Sequence, residues 1–338
     1  GVIEGVGPRY CPSVETKIAR FPDKERHQLF LEPEGLHTNE IYVQGMSTSL
    51  PTDVQEAFLT TIPGLEHARI MRPGYAIEYD CLDPLQLTPT LAVKHIAGLY
   101  SAGQANGTSG YEEAAAQGLI AGINAVCGIT GQEPLILRRS DGYIGVLIDD
   151  LVTKGTDEPY RMMTSRAEYR LILRQDNADL RLTPIGRAVG LVSDARWARF
   201  TAKRDAIERT VAQLKELRLS PSAETEARLA AAGIAPLRVP MTIFALLSRE
   251  GDYAQLAALF DLPALADDVR EEVEIMARYD GYIRKQEEQI ARMERLESRR
   301  IPDGLDYSAI TSLRLEAAEK LAAIRPRSIG QASRISGV

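Results

Sequence analysis

The sequence predicts an α/β region followed by an all-α region, and two observations predict this division. In the first half, short apolar runs alternate with turns rich in glycine and proline, as in strands joined to helices. From Ser193 onward, β-branched runs become rare, and alanine, arginine, glutamate and leucine recur with helical periodicity. We expect three segments, 1–70, 71–150 and 151–338, the last of them mainly helical.

Composition and charge narrow the class of protein. A hydrophobic content of 44% and a charged content of 26% are ordinary for a globular protein, and no apolar run reaches the length of a membrane span. Cys11, Cys81 and Cys127 are far apart, which is typical of a reducing cytoplasm. The four histidines show no ligand spacing, so we assign no metal. Because the net charge is −7, any nucleic-acid contact requires a local basic patch.

A glycine-rich stretch in the α/β region is the strongest local motif. It predicts a strand over 96–102, a turn containing Gly103, Gly107 and Gly110, and then an alanine-rich helix. We expect Thr108 or Ser109 to cap the helix, with Glu112 and Glu113 in the first turn, where the helix dipole favours acids. A helix N-terminus behind such a turn binds anions. The alternative is a tight connection without a ligand.

The chain before this motif contains a loop and several predicted strands. In the loop 7–21, Arg9 and Lys17 are candidates for phosphate contacts. Cys11 is either a nucleophile or a small buried hydrophobic residue. We predict strands over 27–32 and 40–44, a helix over 52–62, two β segments within 68–80, and a further strand over 86–91.

A basic segment follows the motif. Arg166, Arg170 and Arg174 are spaced by four, which predicts one stripe on a helix. Residues 154–187 carry seven basic and five acidic side chains, a net of +2. The arginines are interpreted either as contacts to an RNA backbone or as partners of the neighbouring acids.

The all-α region predicts five helices, over 194–217, 224–232, 242–248, 267–298 and 307–324. In the longest, Val269, Met276, Ile283 and Ile290 recur every seven residues. That seam is either the core of an intramolecular bundle or a coiled-coil contact between two chains.

Taken together, several motifs resemble one family. The chain resembles the C-terminal two-thirds of the MnmG/GidA flavoproteins, which modify uridine in tRNA. The matching stretches lie in order along nearly the whole chain: 7–15, 31–35, 47–51, 72–80, 102–118, 161–170 and 329–337.

The resemblance implies a fold and an activity. Segment 1–70 is the end of an inserted α/β domain on the NAD side. Segment 71–150 is part of a Rossmann-like FAD-binding domain, and segment 151–338 is a helical domain that docks tRNA and a partner. Family members use FAD, NADH and methylenetetrahydrofolate. With the GTPase MnmE, they build a (carboxymethyl)aminomethyl-type group on C5 of the wobble uridine at tRNA position 34. Cytoplasmic homodimers that form heterotetramers with MnmE are implied as well.

The resemblance also implies site residues. The FAD contact of the family falls on Gln104, and we expect its neighbours to share that role: Gly103, Asn106, Gly107, Thr108, Gly110 and Tyr111. The proposed catalytic thiol falls on Cys11, within the loop assigned to NAD: Gly7, Pro8, Arg9, Tyr10, Cys11, Pro12, Ser13, Val14, Glu15, Thr16, Lys17, Ile18, Ala19, Arg20 and Phe21. Arg166, Arg170 and Arg174 are the candidates for tRNA phosphates.

One departure from the family pattern limits these expectations. The first flavin motif, G-x-G-x-x-G after an opening strand, is absent, and the spacing of Gly103, Gly107 and Gly110 does not replace it. The chain also begins at Gly1 without an initiator Met and ends within an apparent helix start. We therefore expect a piece of a longer protein that binds FAD weakly and is inactive alone. The competing interpretations are a non-catalytic module that binds tRNA or a GTPase, and an unrelated flavin oxidoreductase acting on a small metabolite.

Overall fold

A computed structural model of the chain describes residues 13–75 and 77–338. Cys11 and the other predicted site residues in 7–12 lie outside the described residues. The description begins with helix α1, Val14–Arg20. The helix starts where the Ser13 hydroxyl accepts a hydrogen bond from the Thr16 N–H at 3.3 Å.

A two-stranded antiparallel sheet follows α1. Strands β1, Phe30–Pro33, and β2, Ile41–Gln44, pair with Phe30 opposite Gln44, which confirms the two predicted strands. Helix α2, Thr52–Leu59, comes next and is shorter than predicted, because the chain turns at Thr60 and Thr61.

The strands predicted over 68–80, 86–91 and 96–102 were wrong, since none is present in the described part of those segments. The second of these segments overlaps a 3₁₀ turn, Pro84–Gln86, and only isolated bridges pair Leu87 with Val93 and Ala92 with Tyr100. Pro73 and Pro89 interrupt the first two runs and remove ladder donors, and Leu91 turns the chain through a positive φ of 64°. Apolar residues of the second and third runs, Leu87, Leu91, Tyr100 and Ala102, instead pack in a core with the neighbouring helices.

That core lies between two helices, α3, Tyr111–Thr130, and α4, Tyr143–Lys154. Ile120 and Ala121 of α3 pack with Ile148 and Val152 of α4, against buried leucines of the preceding turns, Leu87 and Leu91. The core therefore fixes the glycine-rich turn that precedes α3.

The predicted helical stripe through Arg166, Arg170 and Arg174 was also wrong. Residues 164–166 form one 3₁₀ turn, and the chain then runs through turns to helix α5, Ala178–Ala188. The Arg139 guanidinium explains the local shape, because it donates to the Arg166 carbonyl at 3.2 Å and to the Glu168 carboxylate at 2.7 and 2.8 Å. Those contacts hold the segment against α4.

The following region is helical, as predicted. It contains helices with a shared core and one two-residue antiparallel pair: α6 Asp194–Glu216, β3 Arg218–Leu219, α7 Ala223–Ala231, β4 Met241–Thr242, α8 Ile243–Arg249, α9 Tyr253–Phe260 and α10 Asp267–Glu297. Val269, Val273 and Ala277 of α10 are buried against α6 and α8. The first half of the predicted seam is thus an intramolecular core.

The C-terminal residues form a smaller helical unit against the end of α10. The predicted helix over 307–324 is a 3₁₀ turn, Tyr307–Ala309, and then α11, Leu315–Ile324. The Asp306 carboxylate accepts from the Ser308 N–H at 3.0 Å and caps the start of the short turn. Helix α12, Ile329–Ala332, packs on α10. The predicted mixed region followed by a helical region is confirmed, and no helix within the described ranges is long and apolar enough to cross a membrane.

Candidate functional site

The glycine-rich turn is a 3₁₀ helix, Gly103–Asn106, flanked by left-handed backbone. Gly103 and Gly107 have φ values of +84° and +81°, a region that favours glycine. At Gly107 an added Cβ would lie 2.7 Å from the Thr156 Cγ2 atom. Both the conformation and the close approach therefore require glycine at 107.

Three buried polar side chains hold this turn on α3. Asn106 donates to the Gln117 Oε1 atom at 2.7 Å and to the Ser101 carbonyl at 2.9 Å. Gln117 donates to the Thr108 hydroxyl at 3.0 Å, and that hydroxyl donates to the Gly103 carbonyl at 3.0 Å. Buried amides paired in this way stabilise one backbone arrangement. The turn is preorganised by its own side chains.

The N-cap of helix α3 is Gly110, not Thr108 or Ser109, so the predicted cap was wrong. The Thr108 hydroxyl is already bonded within the turn. Instead, the buried Glu113 carboxylate folds back toward Gly110, where an added Cβ would lie 1.7 Å from its Oε2 atom. Glu113 Oε1 accepts from Arg161 Nε at 3.1 Å and from the Met162 N–H at 2.7 Å. The predicted acid in the first turn is confirmed.

A cavity of about 180 Å³, here called the turn cavity, opens beside this turn. Its wall is formed by side chains from three segments: Tyr79, Cys81, Gln104, Gly107, Thr108, Ser109, Thr156, Asp157, Glu158 and Pro159. Gln104 is fixed by donating to the Asp80 carbonyl at 2.7 Å. The Ser109 Oγ atom is buried and has no hydrogen-bond partner among the described residues. An unpaired buried hydroxyl at a cavity wall suits a ligand with a polar edge.

The structure places the predicted FAD residues in three different environments. Gln104, Gly107 and Thr108 line the turn cavity. Gly103, Asn106 and Gly110 are buried in the frame behind it. Tyr111 is 94% exposed. Their role toward FAD stays a prediction.

The described part of the predicted NAD loop, Ser13–Phe21, is tied to the strand region. Lys17 Nζ donates to the Gly45 carbonyl at 3.0 Å. Glu15 accepts from the Thr48 hydroxyl at 2.9 Å and from the Ser49 N–H at 3.0 Å. Partial burial raises the pKa of Glu15, but these hydrogen bonds outweigh it, so the pKa lies below its usual value.

The three predicted tRNA arginines differ in their surroundings. Arg166 lies 4.3 Å from the Tyr160 ring centroid, and its Nε donates to the Arg161 carbonyl at 3.1 Å. Arg170 is exposed. Arg174 pairs with Asp176 at 2.9 Å and with Glu272 of α10 at 2.8 Å. For Arg174, the alternative of pairing with acids is confirmed.

The Glu272 carboxyl, beside Arg174 and Asp176, holds its proton more tightly than an ordinary glutamate. Burial is the main cause that raises its pKa to about 7, and its hydrogen bond with Asp176 adds to the effect while Arg174 opposes it. The Glu272 Oε2 atom is buried without a hydrogen-bond partner within the described ranges.

Sequence reasoning missed a second cluster, centred on the buried Arg139. Its guanidinium pairs with Asp149 at 3.1 Å, Asp150 at 2.8 Å and Glu168 at 2.7 Å. Burial acts to lower the pKa of Arg139, but these carboxylates raise it above the usual value. The only sequence signal is the pair Asp149-Asp150 within the apolar helix α4.

The fold and these sites define a mixed α/β protein with a polar turn cavity and a C-terminal helical region. Three family models match it. The one described as "Glucose inhibited division protein A" covers residues 1–133. Those described as "tRNA modifying enzyme MnmG/GidA C-terminal helical domain" and "tRNA modifying enzyme MnmG/GidA C-terminal helical bundle" cover residues 194–287 and 289–338. The chain belongs to the MnmG/GidA family.

Individual relatives agree with this assignment. The chain is 57% identical over 340 residues to the tRNA uridine 5-carboxymethylaminomethyl modification enzyme MnmG of Clostridium botulinum (strain Loch Maree / Type A3), covering 100% of the chain and 54% of that protein. The enzyme of the same name from Enterococcus faecalis is 57% identical over 341 residues, with the same two shares. A crystal structure of Aquifex aeolicus GidA aligns with a TM-score of 0.84 and 46% identity, over 98% of this chain and 53% of that one. The chain thus spans about half the length of the curated relatives it matches.

Proposed function

We propose that this chain is part of a tRNA uridine modification enzyme, in which it forms one side of an FAD site. The observation that carries the proposal is the polar turn cavity. It lies in a chain whose whole length aligns with part of enzymes named for that reaction. Membership of that family disfavours a flavin oxidoreductase acting on a small metabolite. A binding module without catalysis is the remaining alternative.

The residues around the turn cavity fit a flavin. The unpaired Ser109 hydroxyl and the fixed Gln104 amide offer hydrogen bonds to a polar ring edge, and Gly107 lets the backbone approach closely. We propose that Gln104, Gly107, Thr108 and Ser109 hold FAD, while Gly103, Asn106 and Gly110 frame them. Bound FAD supplies the redox step of the reaction, with NADH as reductant.

We further propose that Cys11 activates the uridine. Its thiolate adds to C6, so a sulfur–carbon bond forms and the electron pair of the C5=C6 double bond becomes available at C5. C5 then attacks the methylene carbon of methylenetetrahydrofolate, so a carbon–carbon bond forms while one carbon–nitrogen bond of the folate breaks. Loss of the C5 proton and departure of the thiolate restore the double bond. By family resemblance, we also propose that the protein acts together with the GTPase MnmE, forms a homodimer and is located in the cytoplasm.

Flavin content tests the FAD part. The test protein is a chimera in which this chain replaces the matching 340 residues of the C. botulinum relative. We expect Gln104→Ala with Ser109→Ala to lower bound FAD, measured by absorbance, at least tenfold. Gln132→Ala is the matched control, because Gln132 is exposed and lies outside the turn cavity. Full FAD content in the double variant would remove Gln104 and Ser109 from the site.

The role of Cys11 has its own test. In the same chimera, Cys11→Ser is expected to abolish wobble-uridine modification while tRNA and FAD binding persist. Cys127→Ala, at a buried cysteine of α3 outside the turn cavity, is the control and should keep most of the activity. Unchanged modification in Cys11→Ser would assign that thiol to packing.

A further inference from the structure

The turn cavity has a second wall besides the glycine-rich turn, and one residue joins the two walls. The segment 156–159, here called the wall segment, contributes all four of its residues to the lining of the cavity. It leaves α4 through Gly155, whose φ of +67° turns the chain, and it bends at Asp157 and Glu158. The next residue, Tyr160, is only 3% exposed. Tyr160 is therefore the point at which the wall segment enters the core.

The backbone of Tyr160 pairs with the glycine-rich turn through a parallel bridge to Thr108. The Tyr160 N–H donates to the Gly107 carbonyl at 2.8 Å, and the Tyr160 carbonyl accepts from the Ser109 N–H at 3.2 Å. Gly107 and Ser109 both line the turn cavity. A displacement of Tyr160 therefore either moves both walls of the cavity or breaks these two hydrogen bonds.

The side chain of Tyr160 is anchored in the core between α3 and α4. Its ring packs with Leu147 and Leu151 of α4, and its hydroxyl donates to the Asp150 Oδ2 atom at 2.8 Å. Burial is the main cause that raises the pKa of Tyr160, and the charge of Asp150 adds to the effect, so the phenol keeps the proton that it donates. The anchor combines apolar contact with a charge-assisted hydrogen bond.

The acceptor, Asp150, is itself held by two cations. Its Oδ1 atom accepts from Arg139 at 2.8 Å and from Lys154 at 2.7 Å, whereas its Oδ2 atom accepts from Tyr160. Burial acts to raise the pKa of Asp150, but Lys154 and Arg139 outweigh it, so the pKa lies below its usual value and the carboxylate is charged. A fixed, buried acceptor of this kind defines the position of its donor.

We propose that Tyr160 is a positioning residue of the turn cavity: through its hydrogen bond to Asp150, it holds the wall segment at the distance from residues 107–109 that a bound flavin requires. This inference rests on the proposed function, in which the ligand of the cavity is FAD. A wall that is already in place binds the ligand without a further cost of ordering it. Loss of the hydroxyl therefore weakens FAD binding even though Tyr160 does not line the cavity.

The test compares two variants that each remove one buried phenol hydroxyl. Tyr160→Phe keeps the ring, over which the Arg166 guanidinium lies at 4.3 Å from the centroid. Tyr253→Phe is the matched control, because Tyr253 is 2% exposed and its hydroxyl donates to the Pro263 carbonyl at 2.8 Å. Tyr253 lies in α9, outside the turn cavity. An effect of general destabilisation is thus present in both variants.

The first measurement needs no ligand. In the 338-residue chain, amide hydrogen exchange of residues 107–109 and 156–160 is followed by mass spectrometry. We expect Tyr160→Phe to accelerate exchange at the amides of residues 109 and 160 about tenfold, because the two hydrogen bonds between the walls open more often. Tyr253→Phe is expected to leave both amides unchanged. Equal exchange in the two variants would overturn the proposal.

The second measurement is the affinity for FAD, obtained by titrating the folded chimera after its flavin has been removed. We expect Tyr160→Phe to raise the Kd about fivefold, the equivalent of roughly one hydrogen bond, and Tyr253→Phe to change it less than about twofold. Unchanged FAD affinity in Tyr160→Phe, despite faster exchange, would assign the hydroxyl to stability alone and overturn the positioning role. If the unaltered chimera binds no FAD, the proposed function fails, whereas the exchange measurement still decides whether Tyr160 holds the wall segment.

Discussion

Arg334 forms a two-point ion pair with Asp149, with Nε···Oδ2 at 2.7 Å and Nη2···Oδ1 at 2.8 Å, although the two residues are 185 positions apart. Asp149 also accepts from Arg139 at 3.1 Å. One carboxylate therefore joins the α/β region to the C-terminal helical unit. Both charged side chains are largely buried, so the pair depends on its geometry rather than on long-range attraction.

Arg334→Met is expected to loosen this junction. The variant keeps the aliphatic packing but leaves Asp149 with one arginine, so we expect the free energy of unfolding to fall by about 2 kcal/mol. Urea denaturation followed by circular dichroism measures the change, and faster amide exchange in residues 327–335 locates it. The exposed pair Arg284–Asp280 on α10 provides the control: Arg284→Met should cost less than about 1 kcal/mol. If both variants lost the same free energy of unfolding, the buried Arg334–Asp149 pair would contribute no more to stability than an exposed ion pair.

The raised pKa of Glu272 predicts that the stability of the folded chain depends on pH. Its pKa in the folded chain, about 7, is higher than its ordinary value of 4.5, so the folded state binds the proton more tightly. This contribution is fully present below about pH 4.5 and is lost as the pH rises through 7. We therefore expect the free energy of unfolding to fall between pH 5 and pH 8.

Glu272→Gln isolates that contribution, because its amide is neutral at both pH values and still donates to Asp176. We expect the variant to lose most of the fall in stability between pH 5 and pH 8, measured by urea denaturation at each pH. Glu271→Gln, an exposed neighbour on α10, is expected to behave like the unaltered chain. A Glu272→Gln variant that retains the full pH dependence would show that another group is responsible.

We expect replacement by alanine to have opposite effects on stability at Gly110 and at Gly118. At Gly110 the new Cβ would lie 1.7 Å from Glu113 Oε2, a carboxylate held by Arg161 and Met162, and we expect a loss of about 1–3 kcal/mol. At Gly118, inside α3, the new Cβ would meet nothing within 4 Å apart from the adjacent residues and the backbone of its own helix, and we expect a gain of up to about 1 kcal/mol. Thermal unfolding of the two variants checks the pair. A stabilised Gly110→Ala would contradict the described helix start.

The helical half could be predicted closely from the sequence. Helix α6 was expected over 194–217 and is Asp194–Glu216, because apolar periodicity and a local cap define it. The Ser193 hydroxyl accepts from the Arg196 N–H at 3.4 Å, a contact within one turn of sequence. Signals of this kind lie in adjacent residues and do not depend on distant partners.

The α/β half was harder to predict because its structure depends on distant contacts. The apolar run 96–102 has strand composition, but it forms only an isolated bridge between Tyr100 and Ala92 and packs against helices. Arg166 and Arg174 have helical spacing, but long-range contacts to Arg139 and Glu272 determine the backbone conformation of this segment. The turn at Gly103–Gly110 was located correctly, whereas the Asn106–Gln117 pair behind it has no local signature.

Mass spectrometry of tRNA nucleosides tests the central proposal most directly. The chimera described above is expressed in cells that lack the C. botulinum-type activity, and the wobble uridine is analysed. We expect the chimera to restore the C5-modified uridine to most of the level reached with the intact relative. Unmodified wobble uridine, in cells where the chimera is folded and retains FAD, would contradict the proposed function.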